Sequence, residues 1–185
     1  MNNTMKVRIG LVAVLLAVVG IMGGAASGSS ERVRVVGPAT PQAQAMFDQI
    51  KGLAGTWEMT DESGQRMTGA IYRVVSAGSA VCERMFPGSD HEMINMYHLD
   101  GDRVLVTHYC AQGNQPRMAA RSRASANLIA FEPESVTNLV ASDIEYMARL
   151  ELDMTDADHI TQRWQSMTRG EPTSHVEFRL TRLGS

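Results

Sequence analysis

The chain has 185 residues, a formal net charge of −3 and two cysteines. That length is enough for one domain with a real core. No basic stripe exists to follow a phosphate backbone, which argues against a nucleic-acid partner, and the mild acidity speaks only to solubility.

Residues 1–26 read as a signal peptide. Lys6 and Arg8 form a positive start, and Ile9 to Met22 is an apolar run too short for a comfortable membrane span. Gly24, Ala25 and Ala26 are small, so cleavage is expected after about Ala26. The alternative is an uncleaved N-terminal anchor. No Cys follows the apolar run to take a bacterial lipid. The leader holds two of the 17 basic residues and none of the 20 acidic ones, so the mature chain has a net charge of −5. The expected location is periplasmic or extracellular, with no integral membrane domain after cleavage.

Residues 27–40, SGSSERVRVVGPAT, are small, polar and interrupted by Pro38. They read as a flexible tether, with a strand at Val33 to Val36 as the alternative. A single domain is expected over 41–185. Pro41 opens a helix over Gln42 to Lys51, with Thr40 as N-cap and Gly52 as the stop. Met46, Phe47, Ile50 and Leu53 form its apolar stripe. A helix this short is marginal alone, so it should cover one end of the fold.

From Gly55 the period changes to two. Strand-like runs follow at Gly55–Thr60, Met67–Ser76, Ala80–Phe86, Glu92–Leu99, Arg103–Ala111, Arg117–Ala124, Leu128–Glu132, Ile144–Met154, His159–Thr168 and Thr173–Leu183. Turn signals separate them, among them Glu62-Ser63-Gly64, Pro87-Gly88 and Asp100-Gly101-Asp102. The long break at Pro133 to Asp143 is left to a loop or a helical turn. The pattern predicts an all-β fold, an up-and-down antiparallel barrel of about ten strands that closes to remove its edges.

Leu53-Ala54-Gly55-Thr56-Trp57 puts a Gly-x-Trp at the first strand, directly after a short helix. This resembles the opening of the calycins: lipocalins, fatty-acid-binding proteins and nitrobindin-like haem proteins. The resemblance implies that Trp57 sits at the closed end of a barrel under an Arg from the last strand, either Arg179 or Arg182. A nitrobindin-like reading implies haem held by His175, although Glu58, Met59 and Thr60 depart from the Gly-x-Gly that follows the Trp in that group. The segment Tyr97 to Met118 also resembles a family of secreted bacterial proteins with no known activity.

That segment concentrates the polar chemistry. A turn at Asp100-Gly101 would pair Tyr97 with Val104, Asn95 with Val106 and Met93 with His108. One face then carries Met93, Asn95, Tyr97, Val104, Val106, His108 and Cys110, and His108 is expected to point inward. Three readings stay open. The first is a buried His bonded to Tyr97 or Glu83 beside a space-filling Cys. The second is a polar anchor in which His108 and Arg117 recognise a ligand carboxylate or carbonyl. The third is chemistry by a His108/Cys110 pair, as an activated thiolate or as a metal site with His91 or His98. No tight metal-ligand spacing supports the metal version.

Cys82 and Cys110 are expected to be free. Two strand spacings separate them by roughly 9–10 Å, beyond the roughly 7 Å a disulfide spans. Asn114 and Gln115 lie in a loop that could rim a ligand mouth. Trp164 alternates with Gln162 and Ser166 and should face inward. Ten methionines remain after the leader, suited to an adaptable cavity or to core gaps.

The function expected from the sequence is binding of a small hydrophobic ligand in a barrel cavity, without a cofactor. Its expected ligand-binding residues are His108, Tyr97, Arg117, Glu83, Asn114, Gln115 and Trp164. The alternative is a haem protein using His175, or an enzyme using His108 and Cys110.

Overall fold

The computed structural model describes residues 33–61 and 63–184. The leader, the start of the tether and Glu62 of the first turn lie outside them. Residues 33–40 carry no regular structure, so the strand considered at Val33 to Val36 does not form. Helix α1 spans Pro41–Lys51. Its N-cap is Thr40, whose side chain accepts from the Ala43 amide at 3.2 Å, and proline occupies the first position, where its missing N–H costs nothing. Ala43, Met46, Phe47 and Ile50 are buried. Gly52 ends the helix in right-handed geometry, φ −62°. The glycine that needs its freedom is Gly55, at φ 139°.

Ten strands follow: β1 Gly55–Thr60, β2 Arg66–Val75, β3 Ala80–Met85, β4 Met93–Asp100, β5 Arg103–Tyr109, β6 Gln115–Ala120, β7 Leu128–Thr137, β8 Tyr146–Met154, β9 His159–Thr168 and β10 Glu171–Arg182. Each pairs antiparallel with its neighbours in sequence, and β1 pairs with β10 to close the barrel. Among the described residues no helix is long and apolar enough to cross a membrane.

The helix covers the end of the barrel where β4 turns into β5 and β6 into β7. The Thr40 amide donates to Gly101 O at 3.3 Å, and Gln49 Nε2 donates to Ala126 O at 3.3 Å. The first strand meets the last through only two pairs, Trp57↔Arg182 and Glu58↔Thr181. Side chains reinforce this short seam. The Arg182 guanidinium lies 4.3 Å from the Trp57 ring centroid and donates to Ala54 O, Gly52 O and Ala157 O at 2.8–3.0 Å. Of the two arginines considered, Arg182 is therefore the one over the tryptophan. Arg179 is exposed and bonds Glu177. Trp57 is fully buried and donates its indole N–H to Leu53 O at 2.8 Å, which joins the helix to the seam.

Two expectations need correction. The β4–β5 hairpin turns at Gly101-Asp102, so Asp100 pairs with Arg103, Tyr97 with Val106 and Asn95 with His108. Arg103 clasps Asp100 across the turn, with Nη2 to Oδ2 at 2.6 Å, and this favours the longer ladder. The register is shifted by two residues, an even step, so every side chain keeps the face assigned to it. The break at 133–143 is also shorter than expected, because β7 runs on through Pro133 to Thr137. Pro133 fits because β7 leaves β8 after Phe131↔Leu150, and the β6 ladder bulges between Arg117 and Met118 opposite it.

Cys82 and Cys110 are both free. Cys82 lies in β3 and Cys110 directly after β5, strands on either side of β4.

Replacing Arg182 with Ala removes a cation–π contact and strands three carbonyls. Urea denaturation should show a loss of about 2–4 kcal/mol, whereas Arg179→Ala should change stability by no more than about 0.5 kcal/mol. Equal small effects would show that the seam does not depend on Arg182.

Candidate functional site

Alternation places Tyr72, Glu83, Asn95, Tyr97, His108, Gln162 and Trp164 on the inner wall, and all seven are buried. Most of the interior around them is apolar, so a carboxylate there must be met by donors. Glu83 is the hub. Its Oε2 accepts from Asn95 Nδ2 at 2.8 Å and from the Tyr97 hydroxyl at 2.7 Å, and its Oε1 accepts from Gln162 Nε2 at 2.5 Å. Tyr72 adds a further hydrogen bond. Burial pushes the Glu83 carboxyl above its usual range, and the four donors hold it back. Burial, and then the charge of Glu83, push both tyrosines well above the ordinary phenol value.

The network ends at His108. Its Nδ1 lies 2.7 Å from Asn95 Oδ1, and its ring tilts against Trp164 with centroids 4.9 Å apart. Trp164 is held by its own N–H to Gln162 Oε1 at 3.0 Å. His108 Nε2 is buried and has no hydrogen-bond partner among the described residues. Burial lowers the imidazole pKa to about 4, so His108 is neutral near pH 7.

Beyond His108 lies the end of the barrel opposite α1, here called the mouth. Asn114 is buried there. Its Nδ2 donates to Glu145 O at 3.1 Å, and its Oδ1 is also without a partner among the described residues. The Glu145 carboxylate accepts from Ser166, Thr173 and Ser174 across the mouth at 2.5–3.1 Å, and the Ser166 bond leads the contacts that hold it below its usual pKa.

Of the seven expected ligand-binding residues, the structure brings five inside: His108, Tyr97, Glu83, Asn114 and Trp164. Arg117 and Gln115 are not among them. Arg117 pairs with Thr107, so it shares the outward face of Thr107 and is exposed. It cannot join His108, the next residue along β5, because neighbours in a strand point to opposite faces. Its charge instead helps, after burial, to lower the pKa of half-buried His98. Gln115 ties the β5–β6 loop to β7, donating to Gly113 O and accepting from the Thr137 hydroxyl, both at 2.9 Å. Glu92, just before β4, pairs with Arg84 at 2.8 Å on the outside.

The haem alternative does not fit these residues. His175 is exposed on the outer face of β10, with Nε2 3.2 Å from Gln165 Nε2. The groove beside it measures about 140 Å³, well short of the roughly 300 Å³ at which ligand pockets begin. Nor are the metal partners proposed for His108 and Cys110 assembled: His98 lies on the outward face of β4 and His91 in an exposed turn.

Sequence reasoning named Gln162 only as an alternating neighbour of Trp164, and it did not single out Tyr72. Tyr72 faces Glu83 across the β2–β3 ladder, a signal visible once the two strands are paired. Glu145 carried no functional signal in the expected run Ile144–Met154, and the structure places it one residue before β8.

No protein-family model matches the chain, and no curated protein matches it. Among solved structures, the crystal structure of Rv2717c from M. tuberculosis is similar at a TM-score of 0.48 and 14% sequence identity, covering 80% of this chain and 100% of that one.

The buried imidazole makes stability depend on acidity. Its folded pKa, about 4, lies below the ordinary 6.5, so the unfolded chain binds the proton first as pH falls. The stability tied to neutral His108 is whole above pH 6.5 and is lost between 6.5 and 4, about 3 kcal/mol in all. Glu83, with its raised pKa, works in the opposite sense and remains in a His108→Phe variant. That variant should therefore show a smaller loss of unfolding free energy from pH 7 to pH 4 than the native protein. Parallel pH curves would place the titration elsewhere.

Proposed function

We propose that this chain is an exported, calycin-like β-barrel that binds a small, largely apolar molecule at its mouth, with the molecule's polar end against His108. The observation that carries the reading is the buried Nε2 of His108, an unpaired polar atom at the end of a network whose hub has every oxygen engaged. Native interiors rarely leave such an atom unpaired without a role. The Gly-x-Trp start and Arg182 over Trp57 support the calycin-like assignment. The export assignment rests on the leader alone.

The deep barrel limits the size of the guest. Trp57, Tyr72, Tyr97, Phe131 and Trp164 fill it, and the cavity beside Glu83 and Gln162 is too small for a water molecule. A lipid-sized ligand has no room there, so the guest sits at the mouth, where Met93 and Met147 are only half-buried and can move.

Native mass spectrometry of the secreted protein tests this. A co-purified small molecule is expected, and it should be lost in His108→Phe. The cavity too small for water also supports a second reading, a purely structural barrel in which the network serves packing. If the native protein carries no guest and binds no apolar fluorophore, that second reading stands and the binding reading falls.

A further inference from the structure

The hydrogen-bond network fixes where its protons are, and this decides what His108 can recognise. The Asn95 side-chain nitrogen lies between two acceptors, Glu83 Oε2 at 2.8 Å and Met85 Sδ at 3.3 Å. The other end of that amide, facing His108 Nδ1 at 2.7 Å, is therefore the carbonyl oxygen. A carbonyl only accepts, so Nδ1 carries the proton. A neutral imidazole has one such proton, which leaves Nε2 as a bare lone pair. The carboxylate of Glu83 thus sets the tautomer of His108 through one intervening amide.

The same logic applies to Asn114. Its nitrogen donates to the Glu145 carbonyl, so its unpaired atom is the oxygen, again an acceptor. Thr107 pairs with Arg117, and the Cys110 amide donates to Asn114 O. Asn114 therefore stands one pleat nearer the mouth than His108 on the same inner wall, a spacing of roughly 7–8 Å for diagonal neighbours. Two buried acceptors thus lie on this wall, and Arg117, the cation expected beside His108, is on the outer face. A carboxylate brought there would set lone pairs against lone pairs, whereas an O–H or N–H would complete the acceptor it reaches, and a second donor the other.

We propose that the mouth recognises an uncharged molecule through its hydrogen-bond donors, hydroxyl or amide N–H groups given one each to His108 Nε2 and Asn114 Oδ1, and rejects a carboxylate of the same shape. This rests on the binding reading above and reverses the earlier expectation of carboxylate or carbonyl recognition. Half-buried Met93, beside Asn95 on β4, and Met147, paired with Ser166 next to Trp164, would pack on the apolar body.

The test is a titration of the mature protein, carrying ¹⁵N-labelled histidine, with phenol, toluene and benzoate near neutral pH. Phenol should bind about tenfold more tightly than toluene, the difference one net hydrogen bond makes, and should move the His108 Nε2 resonance. Benzoate should not bind. The His108→Phe variant should treat phenol and toluene alike. Where His108→Phe does not fold, the native protein still decides, since phenol should move the Nε2 resonance and toluene should not; Asn114→Leu, which the one O–H of phenol does not reach, should keep the preference for phenol. Toluene binding as tightly as phenol with Nε2 unmoved, or benzoate binding best, would overturn the donor rule while leaving the binding reading intact. Failure of all three probes, together with no co-purified molecule, would remove both.

Discussion

Closure of the barrel rests on Trp57 and Arg182. A ten-stranded sheet has two edges, and joining them removes a row of unpaired backbone groups. Here the joining ladder has two pairs, and both residues of one pair add side-chain contacts. The guanidinium covers the indole and holds three carbonyls, while the indole holds the turn that follows α1. The packing continues inward. Trp57 meets Tyr72 edge to face at 6.4 Å, and the Tyr72 hydroxyl accepts from Gln162, which also reaches Glu83. The seam and the buried polar network therefore form one continuous set of contacts.

That network is costly to bury and specific once complete. A carboxylate in an apolar barrel is tolerated because four donors converge on it from β2, β4 and β9. Each donor is fixed by its own strand, so a one-residue slip of any of them would take its donor to the outer face. The hub thus reports on register as much as on charge. It also fixes the polarity of the hydrogen bonds from Glu83 through Asn95 to His108, which leaves the acceptor side of the imidazole at the end of the network.

The barrel was legible in the sequence because its signals are local. Alternation and turn residues mark each strand, and both ends of Gly55–Thr60 and His159–Thr168 fall where expected. Thr40, Pro41 and the stripe through Ile50 mark the helix in the same way. The β4–β5 register was missed because Asp100-Gly101 and Gly101-Asp102 are both plausible turn pairs, and the Arg103–Asp100 clasp favouring the second, though local, was not weighed against them. The inner wall survived the error because an even slip preserves faces. The site was legible one strand at a time: His108 and Tyr97 follow from alternation, while grouping Arg117 with His108 overlooked that Arg117 pairs opposite Thr107. Gln162 and Glu145 become visible only when strands distant in sequence are brought together.

The two ends of the barrel unit leave from the same side. Thr40 bonds Gly101 under the helix, and the Leu183 amide donates to Thr56 O beside the seam. Both are at the end opposite the mouth. A fusion or surface linkage made through either terminus would therefore present the mouth away from its attachment point.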